Sequence, residues 1–292
     1  MRAAVFAGPR SIEVAERPDP IVKEPTDAVV RVTLACVCGS DLWYYRGDSE
    51  FAPGPIGHEF VGVVEDVGSE VRDIATGDFV IAPFAFSDGT CSHCRHGITS
   101  ACANGGFFPM NGDGGQGEAV RVPLADGTLV RVSEPGDSEE LMRSLLTLSD
   151  VMATGHHAAV CARVEPGDTV AVVGDGAVGL CGVLAAKRLG ADRIVALSRN
   201  PSRQALAREF GATDVVEQLG EVGADGRRPA EEPLVVEEHL VERQLDAVAP
   251  RRSRPWSRAG RARTRCPSPA RCRRIRVRRR RRRRRSAPSL PP

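Results

Sequence analysis

Thiol, imidazole and carboxylate side chains recur in this chain at the spacings that metal sites use. The segment CVCGSDLW supplies Cys38, and the segment PIGHEF supplies His58 twenty residues later. A thiolate and a neutral imidazole make a plausible zinc pair, and a third protein ligand would leave the fourth position open for water or substrate. A lone cysteine or histidine is more often a core residue, but the combination of CGSD, GHE and a downstream nucleotide-binding pattern is much more specific. The pair indicates a catalytic zinc site.

A second set of cysteines lies in the segment SDGTCSHCRHGITSAC. Its thiols, at Cys91, Cys94 and Cys102, are spaced for zinc, but a tetrahedral structural site needs four ligands. His93 and His96 are candidate donors for the fourth position. The chain lacks the long apolar core of a secretory signal, so its nine cysteines are expected to be thiols or metal ligands in the cytoplasm.

The segment GDGAVG has the G-x-G-x-x-G spacing of a dinucleotide-binding loop, with glycines at Gly174, Gly176 and Gly179. Alone the motif is weak evidence, and a glycine-rich surface turn is the alternative. Here it follows the apolar run TVAVV and opens the helical pattern AVGLCGVLAAKRLG, which is the context that the motif requires. Glycines permit a tight turn and close backbone approach, and the helix start favours a pyrophosphate. The segment predicts a dinucleotide site.

The end of the second strand indicates which dinucleotide binds. A carboxylate there would bind the ribose 2′-hydroxyl and favour NAD. The segment IVALSRN offers Ser198 and Arg199 instead, and Arg203 lies one turn further on. A hydroxyl and guanidinium groups suit a 2′-phosphate, so NADP is preferred over NAD. The alternative is that both arginines are only solvated residues at a helix start.

The elements that must position these residues follow two patterns. Short β-branched runs such as AVVRVTLACV and EFVGVVEDVG, separated by Gly, Pro and Asp, predict a compact β-barrel-like domain. From Leu141 to Val164 the apolar period becomes helical. A buried strand, the glycine turn, a helix and a second buried strand then make one βαβ unit, followed by a helix that Gly211 closes and the start of a third strand. The fold class is α/β with a β-barrel-like domain.

The charge changes abruptly along the chain of 292 residues. The net charge of +2 combines 40 basic and 38 acidic residues, but residues 251–292 hold 19 arginines and no acidic residue, which leaves 21 basic and 38 acidic residues, a net of −17, in the first 250. The tail repels itself and buries little apolar area, so it is expected to be disordered. Arginines can neutralise nucleic-acid phosphates, but the absence of interleaved aromatic residues argues against a nucleic-acid partner.

Residues 1 to about 216 resemble a zinc-dependent alcohol dehydrogenase of the medium-chain dehydrogenase/reductase superfamily, on the strength of CGSD, GHE, the cysteine lobe and the glycine loop. The resemblance implies a GroES-like zinc-binding catalytic domain at 1–150 and a partial Rossmann cofactor-binding domain at 151–220. A non-homologous, disordered Arg/Pro-rich tail at 221–292 would follow. The implied reaction transfers a hydride between an alcohol, or an aldehyde or ketone, and a nicotinamide cofactor.

The resemblance also implies the remaining zinc ligands. In the family a Cys, Glu or Asp before the cofactor domain completes the catalytic site, and LTLSDVMATGHHAA places Asp150 there. The alternative is that Asp150 only caps a helix. The family's structural lobe has C-x2-C-x2-C-x7-C spacing, which here reads D-x2-C-x2-C-x7-C and selects Asp88 over His93 and His96. Zinc accepts carboxylate oxygen, so both carboxylates are predicted ligands.

Further roles follow from the same resemblance. Ser40 would pass the substrate proton toward the cofactor ribose, unless it is a turn residue bonded to its own backbone. Asp41 would orient His58, and Glu59 would lie beside the metal and ligate it transiently during water exchange. Many family members continue the proton relay with a histidine where Trp43 stands, so the proton would leave by another route or through water. The catalytic zinc supplies Lewis acidity, and the nicotinamide carries the hydride.

The resemblance ends where family members continue with further β-α units. The favoured explanation is a reading-frame shift between about Val216 and Arg227, because a GC-rich gene read out of frame yields Arg, Pro, Ala and Ser. Three parallel strands would then be left with an exposed edge, which is an aggregation hazard. An inactive zinc protein that binds no cofactor is the alternative function. Family members are often homo-oligomers, but the interface segment is expected to be absent here.

The sequence indicates the substrate only through three aromatic residues. Trp43, Tyr44 and Tyr45 follow the catalytic cysteine, and they either line an apolar cleft for a medium or aromatic alcohol or pack against the barrel. No apolar run reaches the ~20 residues that cross a bilayer, so a membrane is not expected as a partner. The predicted partner is a small alcohol or carbonyl compound.

Overall fold

The computed structural model describes residues 1–110, 113–136 and 138–217, together with the backbone of a short strand at Leu234–Glu237. The first part of the chain is built mainly from antiparallel strands. Its strands are β1 Arg2–Gly8, β2 Ser11–Glu16, β3 Ala28–Cys36, β4 Gly54–Pro55, β5 Glu59–Val67, β6 Phe79–Ala82, β7 Ala85–Phe86, β8 Gly106–Phe107, β9 Ala119–Val122 and β10 Val130–Val132. Its helices are α1 Asp41–Arg46, α2 Ser92–Arg95 and α3 Ala125–Thr128, with a 3-10 turn at Thr99–Ala101.

Five of these strands form the main sheet, in the order β10-β6-β5-β3-β9 with antiparallel neighbours. Alternate side chains enter a core that includes Val30, Phe60 and Val120, as the β-branched runs predict. In the pairing of β3 with β5, Cys36 lies opposite Glu59. The residues just beyond these two ends therefore emerge at the same edge of the sheet, and they include Cys38 and His58.

Two helices carry the chain out of the barrel-like domain: α4 Glu139–Thr147 and α5 Val151–Cys161. The Ser138 side chain accepts a hydrogen bond from the N–H of Leu141 and caps α4. Leu146 of α4 packs against Val61 and Ile81, on the face of the main sheet opposite the barrel core. This packing holds the turn between the two helices beside the barrel.

A parallel sheet with flanking helices forms the second part. Its elements are β11 Thr169–Val173, α6 Ala177–Arg188, β12 Arg193–Leu197, α7 Pro201–Phe210, β13 Asp214–Val216 and β14 Leu234–Glu237, and the strand order is β13-β12-β11-β14. Apolar residues of both strands and helices share one core, among them Val172, Val183 and Ile194. Asn200 caps α7 by accepting from the N–H of Ser202 at 3.0 Å. This is the predicted βαβ unit with its following helix and third strand.

The structure corrects the sequence reading at one segment. The tail from residue 221 was predicted to be disordered, and the sheet was predicted to end with three strands. Instead Leu234–Glu237 forms a fourth strand, which pairs in parallel with β11. The pairing covers the edge of β11 that the expected three-strand sheet would expose. The rest of the predicted disordered tail lies outside the described residues. Among the described helices, none is long and apolar enough to cross a membrane.

Candidate metal centres and cofactor loop

Four potential metal ligands converge at the edge of the main sheet. Cys38 lies in the loop after β3, His58 and Glu59 lie at the start of β5, and Asp150 immediately precedes α5. One donor atom from each of the four lies within 4.8 Å of the others. The Asp150 Oδ2 atom is 3.6 Å from the Cys38 Sγ atom and 3.4 Å from the His58 Nε2 atom. The predicted catalytic ligands are thus brought together by three separate segments.

Asp41 and Thr154 hold these ligands from outside the group. Asp41 Oδ1 lies 3.4 Å from His58 Nδ1, and Asp41 Oδ2 accepts from the backbone N–H of Cys38 at 2.9 Å. The Thr154 hydroxyl donates to Asp150 Oδ1 at 2.7 Å. Each contact leaves the opposite end of the imidazole or carboxylate directed at the other ligands, which is the arrangement that orients metal ligands in proteins.

The side chain of Asp150 does not cap α5. Asp150 occupies the residue position that precedes α5, as a capping residue would. Among the described residues, however, its carboxylate contacts Thr154, Cys38 and His58 rather than the first N–H groups of the helix. The position of Asp150 in the sequence fits both a helix cap and a metal ligand. The direction of its side chain favours the role of metal ligand.

The charges of the group suit a divalent cation. Burial alone would lower the pKa of His58, but the contacts with Asp150 and Asp41 raise that pKa to about 12. Burial raises the pKa of Glu59, whose carboxylate accepts from the Cys36 thiol at 2.7 Å. A half-buried thiol, an imidazole and converging carboxylates need a positive charge among them, and zinc prefers these ligand types. The residues present therefore fit a zinc ion.

The second cluster combines one carboxylate with three thiols. It consists of Asp88, Cys91, Cys94 and Cys102, whose donor atoms also lie within 4.8 Å of one another. The Cys91 Sγ atom is 3.5 Å from the Cys94 Sγ atom and 3.8 Å from the Cys102 Sγ atom. The short helix α2 starts directly after Cys91 and the 3-10 turn ends directly before Cys102, so the two turns bring the thiols together. Three thiols and a carboxylate fit a structural zinc ion.

The carboxylate of Asp88 is fixed by its neighbours. Asp88 Oδ1 accepts from the backbone N–H groups of Thr90 and Cys91, and Asp88 Oδ2 accepts from the Asn104 amide at 2.6 Å. The N–H of Cys91, the Asn104 amide and the N–H of Thr90 lower the pKa of Asp88 well below its usual range. The rival donor His96 has its Nδ1 atom 2.7 Å from the Ser92 carbonyl oxygen. The structure thus brings Asp88, and not His96, among the thiols.

The glycine loop joins β11 to α6 at the carboxyl end of the parallel sheet. Gly174 has a φ angle of +116°, which side chains rarely adopt. A Cβ atom on Gly179 would lie 2.2 Å from the Gly174 carbonyl oxygen, so only glycine allows this close approach. A Cβ atom on Gly176, the residue before α6, would meet open space. This open space in front of a helix start fits a pyrophosphate.

Two of the predicted cofactor residues meet a carboxylate of the same loop. The Ser198 hydroxyl donates to Asp175 Oδ2 at 2.8 Å, and the Arg203 Nη1 atom lies 3.0 Å from Asp175 Oδ1. Arg199 is exposed beside them. Asp175 is a residue that the sequence reading missed, because it occupies a variable position of the glycine motif.

The sequence comparisons agree with this geometry. Residues 24–134 match the family model of the alcohol dehydrogenase GroES-like domain, and residues 177–228 match that of zinc-binding dehydrogenases. A medium chain reductase/dehydrogenase of Acremonium sp is 40% identical over 221 residues, which are 73% of this chain and 74% of that protein. The zinc-type alcohol dehydrogenase B of Aspergillus flavus is 38% identical over 78% of this chain and 54% of its own length. The chain belongs to the zinc-type alcohol dehydrogenases of the medium-chain dehydrogenase/reductase superfamily.

A solved structure of this superfamily has the same fold. The alcohol dehydrogenase TADH from Thermus sp. ATN1 is 36% identical, with a TM-score of 0.69 that covers 74% of this chain and 63% of that one. The predicted family and the predicted fold class are confirmed. The chain spans little more than half, 54%, of the Aspergillus relative, so the activity of a complete zinc-type alcohol dehydrogenase is a proposal for this chain.

The sequence left two interpretations of the aromatic residues 43–45, which either line a substrate cleft or pack against the barrel. The ring centroid of Tyr44 lies 4.6 Å from that of Phe51, which in turn contacts Phe6 of the barrel. Trp43 and Tyr45 are exposed. Tyr44 therefore packs against the barrel, and a substrate cleft lined by Trp43 and Tyr45 stays a prediction.

Proposed function

We propose that this chain carries out zinc-dependent hydride transfer between an alcohol, or the corresponding aldehyde or ketone, and a nicotinamide cofactor. The observation that carries the proposal is the packing of α5 on α6. A Cβ atom on Gly155 of α5 would lie 2.7 Å from the Gly182 nitrogen of α6, so the helices are in close contact. Asp150 stands at the start of α5 and the glycine loop at the start of α6. The close contact thereby ties the metal-ligand group to the cofactor loop.

Three residues of the first cluster would hold the catalytic zinc. Cys38, His58 and Asp150 supply one soft and two harder ligands and leave a position for the substrate oxygen. When bound, the zinc supplies Lewis acidity that makes the substrate hydroxyl more acidic, and the nicotinamide takes up the hydride. Asp41 orients the His58 ring, and Glu59 provides a further carboxylate for ligand exchange. Ser40, which precedes α1, passes the proton of the substrate hydroxyl onward.

The second cluster would hold a structural zinc. Its four ligands leave no open position, which is the property that separates structural from catalytic sites. Asp88 takes the place of the first thiolate of the family pattern. Like the first cluster, this site needs reduced thiols. Six of the described cysteines, Cys36, Cys38, Cys91, Cys94, Cys102 and Cys181, are free thiols, which supports a cytoplasmic location.

NADP is the proposed cofactor, with NAD as the alternative. The end of β12 carries Ser198 where a carboxylate would favour NAD, and Arg199 and Arg203 add positive charge beside it. A 2′-phosphate would gain hydrogen bonds from these donors.

The proposal is tested by assaying the zinc-loaded chain with a panel of primary and secondary alcohols and each nicotinamide cofactor. Reduced cofactor is measured by its absorbance. Turnover that is lost in Cys38→Ser and retained in Cys161→Ser is the expected result, since Cys161 lies at the far end of α5 from Asp150. Saturable NADPH binding, followed by fluorescence, is expected with both variants. A zinc-loaded chain that neither binds NADPH nor turns over would contradict the proposal and favour a non-catalytic zinc protein.

A further inference from the structure

We propose that Asp175 is a specificity-determining residue that opposes the binding of a 2′-phosphate and so limits the preference for NADP. The inference rests on the proposed nicotinamide site and concerns the part of it that holds the adenosine ribose. Asp175 lies between Gly174 and Gly176, at the carboxyl end of the parallel sheet, where the ribose of a dinucleotide is bound in this type of fold.

The Asp175 carboxylate joins three segments of the site. Its Oδ2 atom accepts from the Ser198 hydroxyl at 2.8 Å, at the end of β12, and its Oδ1 atom lies 3.0 Å from the Arg203 Nη1 atom, in the first turn of α7. The donors that a 2′-phosphate would use are therefore already bound to a carboxylate of the chain itself. Among the described residues, the only further partner of either donor group is Asn200, whose carbonyl oxygen lies 3.4 Å from the Ser198 hydroxyl.

The carboxylate is held in its charged form. Partial burial alone would raise the pKa of Asp175, but the hydrogen bond from Ser198 and the charge of Arg203 outweigh it and lower the pKa. The glycine loop thus places the negative charge of Asp175 beside the end of β12, which itself carries Ser198 instead of a carboxylate.

The two cofactors meet this charge differently. A ribose 2′-hydroxyl can donate a hydrogen bond to the carboxylate, so NAD gains a contact there. A 2′-phosphate is repelled by the carboxylate and must compete with it for Arg203, although the exposed Arg199 remains available. Asp175 therefore supplies the acidic group that the end of β12 lacks. It reduces the preference for NADP over NAD that Ser198, Arg199 and Arg203 create.

Binding of two nucleotide fragments tests the inference without zinc or turnover. The affinities of the full chain for 2′,5′-ADP and for 5′-AMP are measured by titration calorimetry, in the wild type and in Asp175→Asn. The variant keeps the shape of the side chain and removes its charge. The ratio of the affinity for 2′,5′-ADP to that for 5′-AMP is expected to rise at least about fivefold, which is the effect of one unit charge about 4 Å away when it is screened as in bulk water.

A matched control excludes a general effect of charge. Asp214 also pairs with an arginine, since its carboxylate lies 2.8 Å from the guanidinium of Arg193. This pair lies where β13 and β12 begin, whereas Asp175 lies at the carboxyl ends of the strands. Asp214→Asn changes the net charge equally and should leave the affinity ratio unchanged. In the double variant Asp175→Asn/Arg203→Ala the ratio should return toward the wild-type value, because the released guanidinium is gone.

The outcomes separate the inference from the proposed function. If both fragments bind and the ratio is the same in wild type and Asp175→Asn, or shifts equally in Asp214→Asn, the role of Asp175 is refuted and the nicotinamide site stands. If folded wild-type chain binds neither fragment, the inference and the proposed cofactor site both fail. Circular dichroism of each variant verifies that it is folded before the titration.

Discussion

A carboxylate completes each of the two metal-ligand groups, and each carboxylate is itself held in place by its neighbours. Thr154 donates to Asp150, and Asn104 and two backbone N–H groups donate to Asp88. These contacts fix the orientation of the oxygen atoms before any ion binds, which reduces the ordering that metal binding requires. We therefore propose both carboxylates as metal ligands.

The fourth ligand of the structural site gives the first prediction. Asp88→Ala should lower the zinc content of the purified chain by about one ion, because three thiols remain where a closed site has four ligands. His96→Ala should leave the zinc content unchanged, since its ring contacts the Ser92 carbonyl oxygen. Metal analysis of both variants decides between them, and the opposite pattern would identify His96 as the ligand.

The raised pKa of His58 predicts how the stability of the zinc-free chain depends on pH. The pKa is about 12 in the folded chain and about 6.5 in the unfolded chain. A raised pKa stabilises the fold fully below the unfolded value, and this contribution is lost as the pH rises toward the folded value. The difference in unfolding free energy between wild type and His58→Gln should therefore shrink from about pH 6 to about pH 9. Urea unfolding in the presence of a chelator measures it, and a constant or growing difference would contradict the assignment.

Residue types and spacing were enough to predict part of the site. Thiol and imidazole ligands and the glycine loop could be recognised from the sequence, while Asp150 and Asp88 were assigned through resemblance to a family. Asp175 was missed because its partners Ser198 and Arg203 lie 23 and 28 residues away. Such contacts arise only when β12 and the start of α7 are placed beside the glycine loop.

At the level of elements, the start of α6 separates two roles of glycine. A Cβ atom at Gly179 would strike the Gly174 carbonyl oxygen at 2.2 Å, whereas a Cβ atom at Gly176 would point into open space. Gly179 is thus required by the fold of the loop itself. Gly176 is required only if a ligand approaches the helix start.

This contrast gives a prediction with an internal control. Gly176→Ala should lower the stability by no more than about 1 kcal/mol, because alanine is a poorer helix N-cap than glycine, and yet weaken NADPH binding strongly. Gly179→Ala should lower stability by about 1–3 kcal/mol, as overpacking does, and weaken binding as well. Urea unfolding and NADPH fluorescence titration measure the two effects. Normal NADPH binding by Gly176→Ala would argue that no pyrophosphate lies against this loop.

The elements themselves were largely predictable, and the exception has a physical reason. Alternating β-branched runs and one apolar βαβ pattern are strong local signals. The segment LVVE at Leu234–Glu237 stands among acidic residues, in the part of the chain that was predicted to be a disordered tail. Its pairing with β11 supplies hydrogen bonds that no local pattern contains, because strand formation depends on the neighbouring strand.

At the level of the whole molecule, the composition changes between the folded part and the sequence that follows it. The match to the zinc-binding dehydrogenase family model ends at residue 228, and an Arg/Pro-rich composition begins soon afterwards. We propose a change of reading frame near this point. The domain bounds 1–150, 151–220 and 221–292 and the absence of an oligomer interface remain predictions.

Resequencing of the coding DNA from codon 200 onward tests the reading frame. A single-base insertion or deletion, or another frame that continues with alternating strands and helices, is the expected finding. If the sequence stands and no other frame continues the fold, the frame change is refuted. The alcohol panel then decides between the proposed hydride transfer and the alternative function, zinc binding without turnover.

The number of zinc ions bound per chain tests the account most directly. Two clusters of ligands predict two zinc ions per chain in the purified protein, and one in Cys38→Ser, whose remaining ion is held by the cluster that contains Asp88. Elemental analysis against protein concentration gives both values. A wild-type chain with fewer than two zinc ions after loading, or a Cys38→Ser variant that keeps both, would contradict the assignment of these residues to a catalytic and a structural site.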